Sequence, residues 1–312
     1  MANWTTNDIP DQTGKLVVIT GATGGLGYET ALALAGKGAE VVLTGRSNSK
    51  GAVALANIRA AHPYARVSYE QLDLASLKSI AEFGERFSAA HNHLDLLVNN
   101  GGVMTPPKRQ TTEDGFELQF GTNHLGHFAL TAHLLPLLAV APAPRVVNVS
   151  SVAHNAGQIN FGDLQAEKNY KPFKYYAQSK IANLMFTFEL QRRSDDNGWG
   201  LMVNAAHPGF ARTDLIANGP GTEGFVNRLS LFLLPAMSHS AAGGALPQLY
   251  AATDPEAEKA GYYGPNGLFE LKGPPGKARV AGKARDEAVA AQLWAISETL
   301  AGVAYPVLAR AA

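Results

Sequence analysis

No cysteine occurs in the 312-residue chain, which excludes disulfides, thiolate metal sites and cysteine nucleophiles. That composition suits a reducing cytoplasm. Net charge is also missing, since 26 Lys+Arg balance 26 Asp+Glu. A protein that binds nucleic acid through bulk charge is therefore not expected. Long hydrophobic runs are absent too. The greasiest stretch, "LSLFLLPAM" at 229–237, is far shorter than the roughly 20 residues of a spanning helix. The opening "MANWTTNDIPDQTGK" has no basic flank leading into an apolar core, so no signal peptide is expected. These absences predict a soluble protein without membrane or nucleic-acid partners.

What is present is alternation. Short β-branched runs, "KLVVIT" (15–20), "EVVLTG" (40–45), "RVSYEQL" (66–72), "LDLLVN" (94–99), "RVVNVS" (145–150) and "LMVNAA" (201–206), are the strand candidates. Ala- and Leu-rich stretches near 26–37, 49–61, 76–91, 113–138 and 175–194 read as helices between them. Near-continuous apolar strands separated by helices predict one α/β domain over 1–312, with a mostly parallel, doubly wound sheet covered on both faces. A cofactor half over 14–150 and a catalytic and substrate half over 151–312 are expected. After Pro208 the alternation fails, and 208–240 reads as a substrate-covering segment. Helices near 241–252 and 285–300 follow. The Gly-, Pro- and basic-rich stretch 261–283 reads as a solvated loop, or alternatively as a flap over cofactor phosphates.

"VVITGATGGLGYETALALA" runs from a strand through glycines into a helix. Gly21, Gly25 and Gly27, with Gly24 between them, lack the Cβ atoms that would keep a tight turn away from a pyrophosphate. The helix that follows offers free N–H groups and a positive dipole end. The end of the second strand should meet the adenosine ribose, where a carboxylate would select NAD. "LTGRS" has Arg46 instead, and a guanidinium suits a 2′-phosphate, so NADP(H) is favoured over NAD(H). "YAQSK" (176–180) puts Tyr176 and Lys180 on one helix face.

Taken together these motifs resemble the short-chain dehydrogenase/reductase family over nearly the full length. "TGATGGLG" (20–27), with Thr23 and Leu26 among its residues, resembles the family's glycine motif. "LDL" (72–74) resembles its adenine-contacting segment with Asp73 and Leu74. "LLVNNGG" (96–102) resembles its N-N-A-G element with Asn100, Gly101 and Gly102. "VNVSS" (147–151), "YAQSK" and "HPGFARTDL" (207–215) resemble the catalytic serine strand, the Tyr-x-x-x-Lys helix and the segment of Pro208, Gly209 and Thr213 beside the nicotinamide. "FGTNHLGHFAL" (120–130) and "VSSVAHNAGQINFGDLQAEKNY" (149–170) resemble the retinol dehydrogenase and WW-domain oxidoreductase branch; the tail resembles its bacterial members. The anchor of some retinol dehydrogenases has no counterpart here, which puts retinoids themselves in doubt. One departure is Gly101, where the family usually has Ala.

The resemblance implies a cofactor-dependent interconversion of a ketone or aldehyde and an alcohol. Tyr176, not Tyr175, is the implied proton donor and acceptor. Lys180 is implied to lower the phenol's pKa, and Ser151, chosen over Ser150 by the branch's serine-to-tyrosine spacing, to bond the substrate oxygen. Asn123 is implied to link Lys180 to solvent through an ordered water. His154 and Phe210 are expected to contact substrate, with Leu215, Phe225 and 229–237 supplying an apolar cover. His124, His127, His154 and His207 form no compact ligand set, so no metal is expected. Homodimers or tetramers are common in the family, although the helical tail could obstruct the usual interface. A cofactor-bound sensor without turnover, or a C=C reductase or epimerase on the same scaffold, are the alternatives.

Overall fold

The computed structural model describes residues 4–210 and 240–305. Eight strands form one sheet: β1 Leu16–Ile19, β2 Glu40–Gly45, β3 Arg66–Gln71, β4 Leu96–Asn99, β5 Arg145–Val149, β6 Met202–Ala206, β7 Tyr262–Pro265 and β8 Pro275–Lys277. Their order is β3-β2-β1-β4-β5-β6-β7-β8, parallel throughout except for β8, which pairs antiparallel with β7. The chain runs outward from β1 to β3, then returns to place β4 beside β1. That reversal opens a crevice at the strands' carboxyl ends, where α/β sheets of this kind bind ligands.

Helices cover both faces because alternate strand residues point opposite ways. Leu16 and Val18 join a core with α3 (Leu77–Ala90), α5 (Gly126–Ala139), α6 (Pro172–Asn197) and α8 (Glu287–Ala301). Val17 and Ile19 join the opposite core with α1 (Gly25–Gly36), α2 (Asn48–Ala61) and α7 (Ala241–Thr253). Local signals fix several helix ends. Ser47 and Ser76 cap α2 and α3 through their hydroxyls, and α6 begins on Pro172 and stops at left-handed Gly198, as capping physics favours.

Two expectations are corrected. The continuous helix over 113–138 is instead a short α4 (Leu118–Phe120), a π turn (Gly121–Leu125) and α5. Glu117 starts it by accepting from Phe120 N at 2.7 Å, while Thr112 N bonds Phe116 O in a turn. The stretch 261–283 is not all loop, because β7 and β8 extend the sheet there. Four residues containing Gly and Pro carry no visible alternation; β7 exists because it pairs with β6 through Ala205 and Ala206.

Candidate active site

The residues following β1 to β6 converge on a cleft of about 600 Å³. One end is built around glycines. Gly21 and Gly25 have φ of +63° and +55°, the left-handed region that favours glycine. A Cβ on Gly21 would lie 2.8 Å from Gly101 Cα, and one on Gly27 only 2.5 Å from Gly21 O. The N-cap of α1, Gly24, brings no side chain to the first N–H groups, which leaves them free for an anion. The Thr20 hydroxyl accepts from Asn100 N (2.9 Å) and Gly101 N (2.8 Å), binding β1 to the segment after β4. This backbone cradle fits a dinucleotide pyrophosphate.

Thr23, Gly24, Gly25, Leu26, Arg46, Asp73, Leu74, Asn100, Gly101, Gly102 and Pro208 all line the cleft. Asp73 turns its carboxylate to Ala75 N at 2.9 Å. The room left by Gly101 is shared with Leu74, whose Cδ1 lies 2.8 Å from where a Cβ would stand. Arg46 is exposed at the cleft edge, and Lys50 lines the same end. Among the described residues neither has an acidic partner within ion-pairing distance. Lys50 was missed in the sequence, yet it left a signal. It stands in the first turn of α2, where the dipole disfavours cations unless an anion is nearby.

At the other end, α6 presents Tyr176 and Lys180. Lys180 is buried, its Nζ donates to Val149 O at 3.0 Å, and it lies 5.7 Å from the centre of the Tyr176 ring. Burial lowers the Lys180 ammonium to a pKa of about 8. Burial also raises the Tyr176 phenol above its ordinary 10, and the Ser151 hydroxyl facing it acts in the opposite direction. The lowered phenol implied by the resemblance is therefore not seen in the protein alone. Desolvation of the buried phenol outweighs the Ser151 hydrogen bond.

The neighbours of these groups are committed elsewhere. Ser150, rather than Ser151, lines the cleft, but its hydroxyl donates to Lys180 O at 2.7 Å. Tyr175 is buried and donates to Asp163 Oδ2 at 2.8 Å. Asn123, in the π turn, accepts from Val103 N at 2.8 Å and donates to Val103 O (3.0 Å) and Ser179 Oγ (2.9 Å). It thus ties the cofactor-side backbone to the catalytic helix one residue before Lys180.

The substrate expectations fare differently. His154 is fully buried and does not line the cleft. Its Nδ1–H donates to Ser151 O at 2.7 Å, and its Nε2 accepts from Ala281 N at 3.2 Å. Phe210 is not among the residues lining the cleft, and its N–H is held by Leu271 O at 3.0 Å. Gly209 is left-handed with no room for a Cβ beside Leu271 O. Thr213, Leu215, Phe225 and 229–237 lie outside the described residues. Val103, Met104, Pro106 and Leu118, none of them singled out from sequence, supply apolar wall instead. Of the histidines considered for a metal, His207 Nε2 faces Glu270 Oε2 at 3.2 Å and His124 Nε2 meets Ser297 Oγ at 2.9 Å.

The family model described as short chain dehydrogenase matches residues 15–223. The chain belongs to the short-chain dehydrogenase family. Within it, the chain is 43% identical to mouse retinol dehydrogenase 13 over 296 residues, covering 93% of this chain and 85% of that protein. It is 39% identical to mouse polyprenol dehydrogenase over 299 residues, 94% of this chain and 86% of that one. A crystal structure of an uncharacterized protein from Mycobacterium paratuberculosis is similar with a TM-score of 0.80 and 39% identity, covering 98% of this chain and 100% of that one. A short chain dehydrogenase from Shigella flexneri complexed with NADP shares the fold at a TM-score of 0.62 and 23% identity, over 82% of this chain and 97% of that one. This short-chain dehydrogenase, of the retinol dehydrogenase-like branch, is an NAD(P)-dependent oxidoreductase of alcohols and carbonyls. No helix among its described residues is long and apolar enough to cross a membrane.

Proposed function

We propose that this enzyme is an NADP-dependent carbonyl reductase, or secondary-alcohol dehydrogenase in reverse, acting on a largely apolar substrate. The observation that carries this reading is Tyr176 and Lys180 side by side on the cleft wall, with the Ser151 hydroxyl bearing on the phenol, while the Ser150 and Tyr175 hydroxyls are given to Lys180 O and Asp163. When bound, the nicotinamide supplies or accepts the hydride.

The chain's own groups then handle the oxygen. Tyr176, protonated at neutral pH because burial raises its pKa, donates its proton to the carbonyl oxygen. Ser151 donates a hydrogen bond to the same oxygen and stabilises the charge that develops there. The Lys180 ammonium favours the tyrosinate left behind. Asn123 keeps the lysine's helix in register through Ser179. Arg46 and Lys50 hold the 2′-phosphate that selects NADP, and the glycine cradle holds the pyrophosphate. Thr213 and Gly209 belong to the segment assigned to the nicotinamide side.

Val103, Met104, Pro106 and Leu118 support an apolar substrate, as do relatives named for retinol and polyprenol, both apolar alcohols. The cysteine-free composition suits a reducing cytoplasm. The test is NADPH absorbance in the presence of a panel of apolar ketones and aldehydes. Consumption is expected with at least one of them. Tight NADPH binding without consumption of any would instead mark a sensor.

A further inference from the structure

His127 has no part in the chemistry above, yet both of its ring nitrogens are engaged. The residue lies at the start of α5, one turn after Asn123, and is 2% exposed. Its Nδ1 is 2.9 Å from the carbonyl oxygen of Asn123. A carbonyl only accepts, so Nδ1 carries the hydrogen. Its Nε2 is 2.9 Å from Thr20 Oγ1. That hydroxyl already accepts from the Asn100 and Gly101 N–H groups, so its one proton is left to give. The rival acceptor, Val98 O, is farther away at 3.4 Å. The ring is therefore neutral and protonated at Nδ1 alone, which burial reinforces by holding its pKa down to about 4.

One imidazole thus joins two parts of the site that are distant in sequence. On its Nε2 side, Thr20 fixes the Asn100–Gly101 backbone that walls the dinucleotide cradle. On its Nδ1 side is the π turn whose Asn123 side chain grips Val103 and Ser179. π turns cost hydrogen-bond geometry and persist where something holds them.

We propose that His127 is a two-armed positioning residue: its Nε2 sets the Thr20 hydroxyl and with it the cofactor wall, and its Nδ1–H holds the π turn that aims Asn123 at the catalytic helix. The arms use different ring atoms, so they can be cut separately. An asparagine amide reproduces the Nδ1–H donor but does not reach Thr20. A glutamine carbonyl reproduces the Nε2 acceptor but offers nothing to Asn123 O. The turnover arm rests on the reductase reading above; the tautomer and the cofactor arm do not.

The test begins on the wild-type protein with 15N-labelled histidine. NMR is expected to show the His127 ring protonated at Nδ1, as is that of buried His154, and unchanged between about pH 8 and pH 6, consistent with its lowered pKa; assignment follows from the loss of its signal in His127→Gln. The opposite tautomer, or a ring that titrates in that window, overturns the proposal. His127→Asn should raise the NADPH Kd roughly tenfold, the scale of one buried hydrogen bond, with kcat within about threefold. His127→Gln should do the reverse. Equal losses of both quantities in both variants mark a merely structural residue and overturn it, as does no loss in either. If the wild type reduces no carbonyl, the reductase reading fails, and the tautomer and the Kd pattern still decide this one. If the histidine variants do not fold, Thr20→Val replaces them. It should weaken NADPH at least tenfold by the same hydrogen-bond scale, whereas Thr20→Ser, which keeps the hydroxyl, should not; equal affinities overturn the proposal.

Discussion

Tyr175 and Tyr176 are adjacent in α6, and their hydroxyls go to different partners. The first gives its hydroxyl to Asp163 at 2.8 Å, and the second lines the cleft with the Ser151 hydroxyl bearing on its phenol. Tyr176→Phe should lower kcat by at least about a hundredfold, the general-acid scale, with the NADPH Kd nearly unchanged. Tyr175→Phe should leave kcat within about twofold and lower the melting temperature slightly through one lost hydrogen bond. Steady-state kinetics and thermal melts of the two variants check both. Comparable kcat losses would remove the distinction between them.

Arg46 and Lys50, without an acidic partner among the described residues, line the end of the cleft assigned to the adenosine. Arg46→Ala should weaken NADP binding at least tenfold while leaving NAD within about threefold, because a charge-assisted bidentate contact is lost only with the phosphate. Lys50→Ala should act in the same direction and less strongly. Titrations with both dinucleotides at two salt concentrations decide it. Parallel losses for NAD and NADP contradict the 2′-phosphate assignment.

The lowered Lys180 pKa of about 8 fixes the sign of a pH effect. Below that value the ammonium is present and supports the tyrosinate; above it the neutral amine does not. Carbonyl reduction should therefore decline as pH rises through about 8, even though the raised Tyr176 phenol stays protonated there. A flat kcat from about pH 7 to pH 9.5 counts against the lysine's role.

Gly27 and Gly101 both face the cradle, with different tolerance. A Cβ on Gly27 would meet Gly21 O at 2.5 Å and Asn100 Nδ2 at 2.6 Å, whereas one on Gly101 meets Leu74 Cδ1 at 2.8 Å and nothing else closer than 3.4 Å. A leucine tip rotates; a backbone carbonyl does not. Gly27→Ala should cost more than tenfold in NADPH affinity and lower the melting temperature. Gly101→Ala should stay within about threefold, since only side-chain repacking is required. Fluorescence titration of bound NADPH separates the two.

What the sequence made legible was local. β1 to β6 announce themselves because a buried parallel strand is a short apolar run whatever surrounds it. The glycine turn and the Tyr176–Lys180 pair are legible because the residues that matter are near neighbours. β7 was hidden because its pairing partner lies more than fifty residues earlier in the chain. The π turn is hidden because an apolar stretch buried on nearly every side, as 121–138 is, does not report one inserted residue. His154 shows the limit most plainly. Closeness to Ser151 in sequence suggested the pocket, but its Nδ1–H reaches back to the serine's own carbonyl and leaves the ring inside the protein.

The last described helix buttresses the helices behind the cleft. α8 lies beyond the family-matched region and packs Trp294 onto Phe128 and Phe186, ring centres 4.9 and 5.9 Å away, with Arg193 stacked over the indole at 4.4 Å. The outward sides of α5 and α6 are thereby roofed by the chain's own tail. The helix that bears Tyr176 and Lys180 is thus braced from behind by aromatic rings of the same chain.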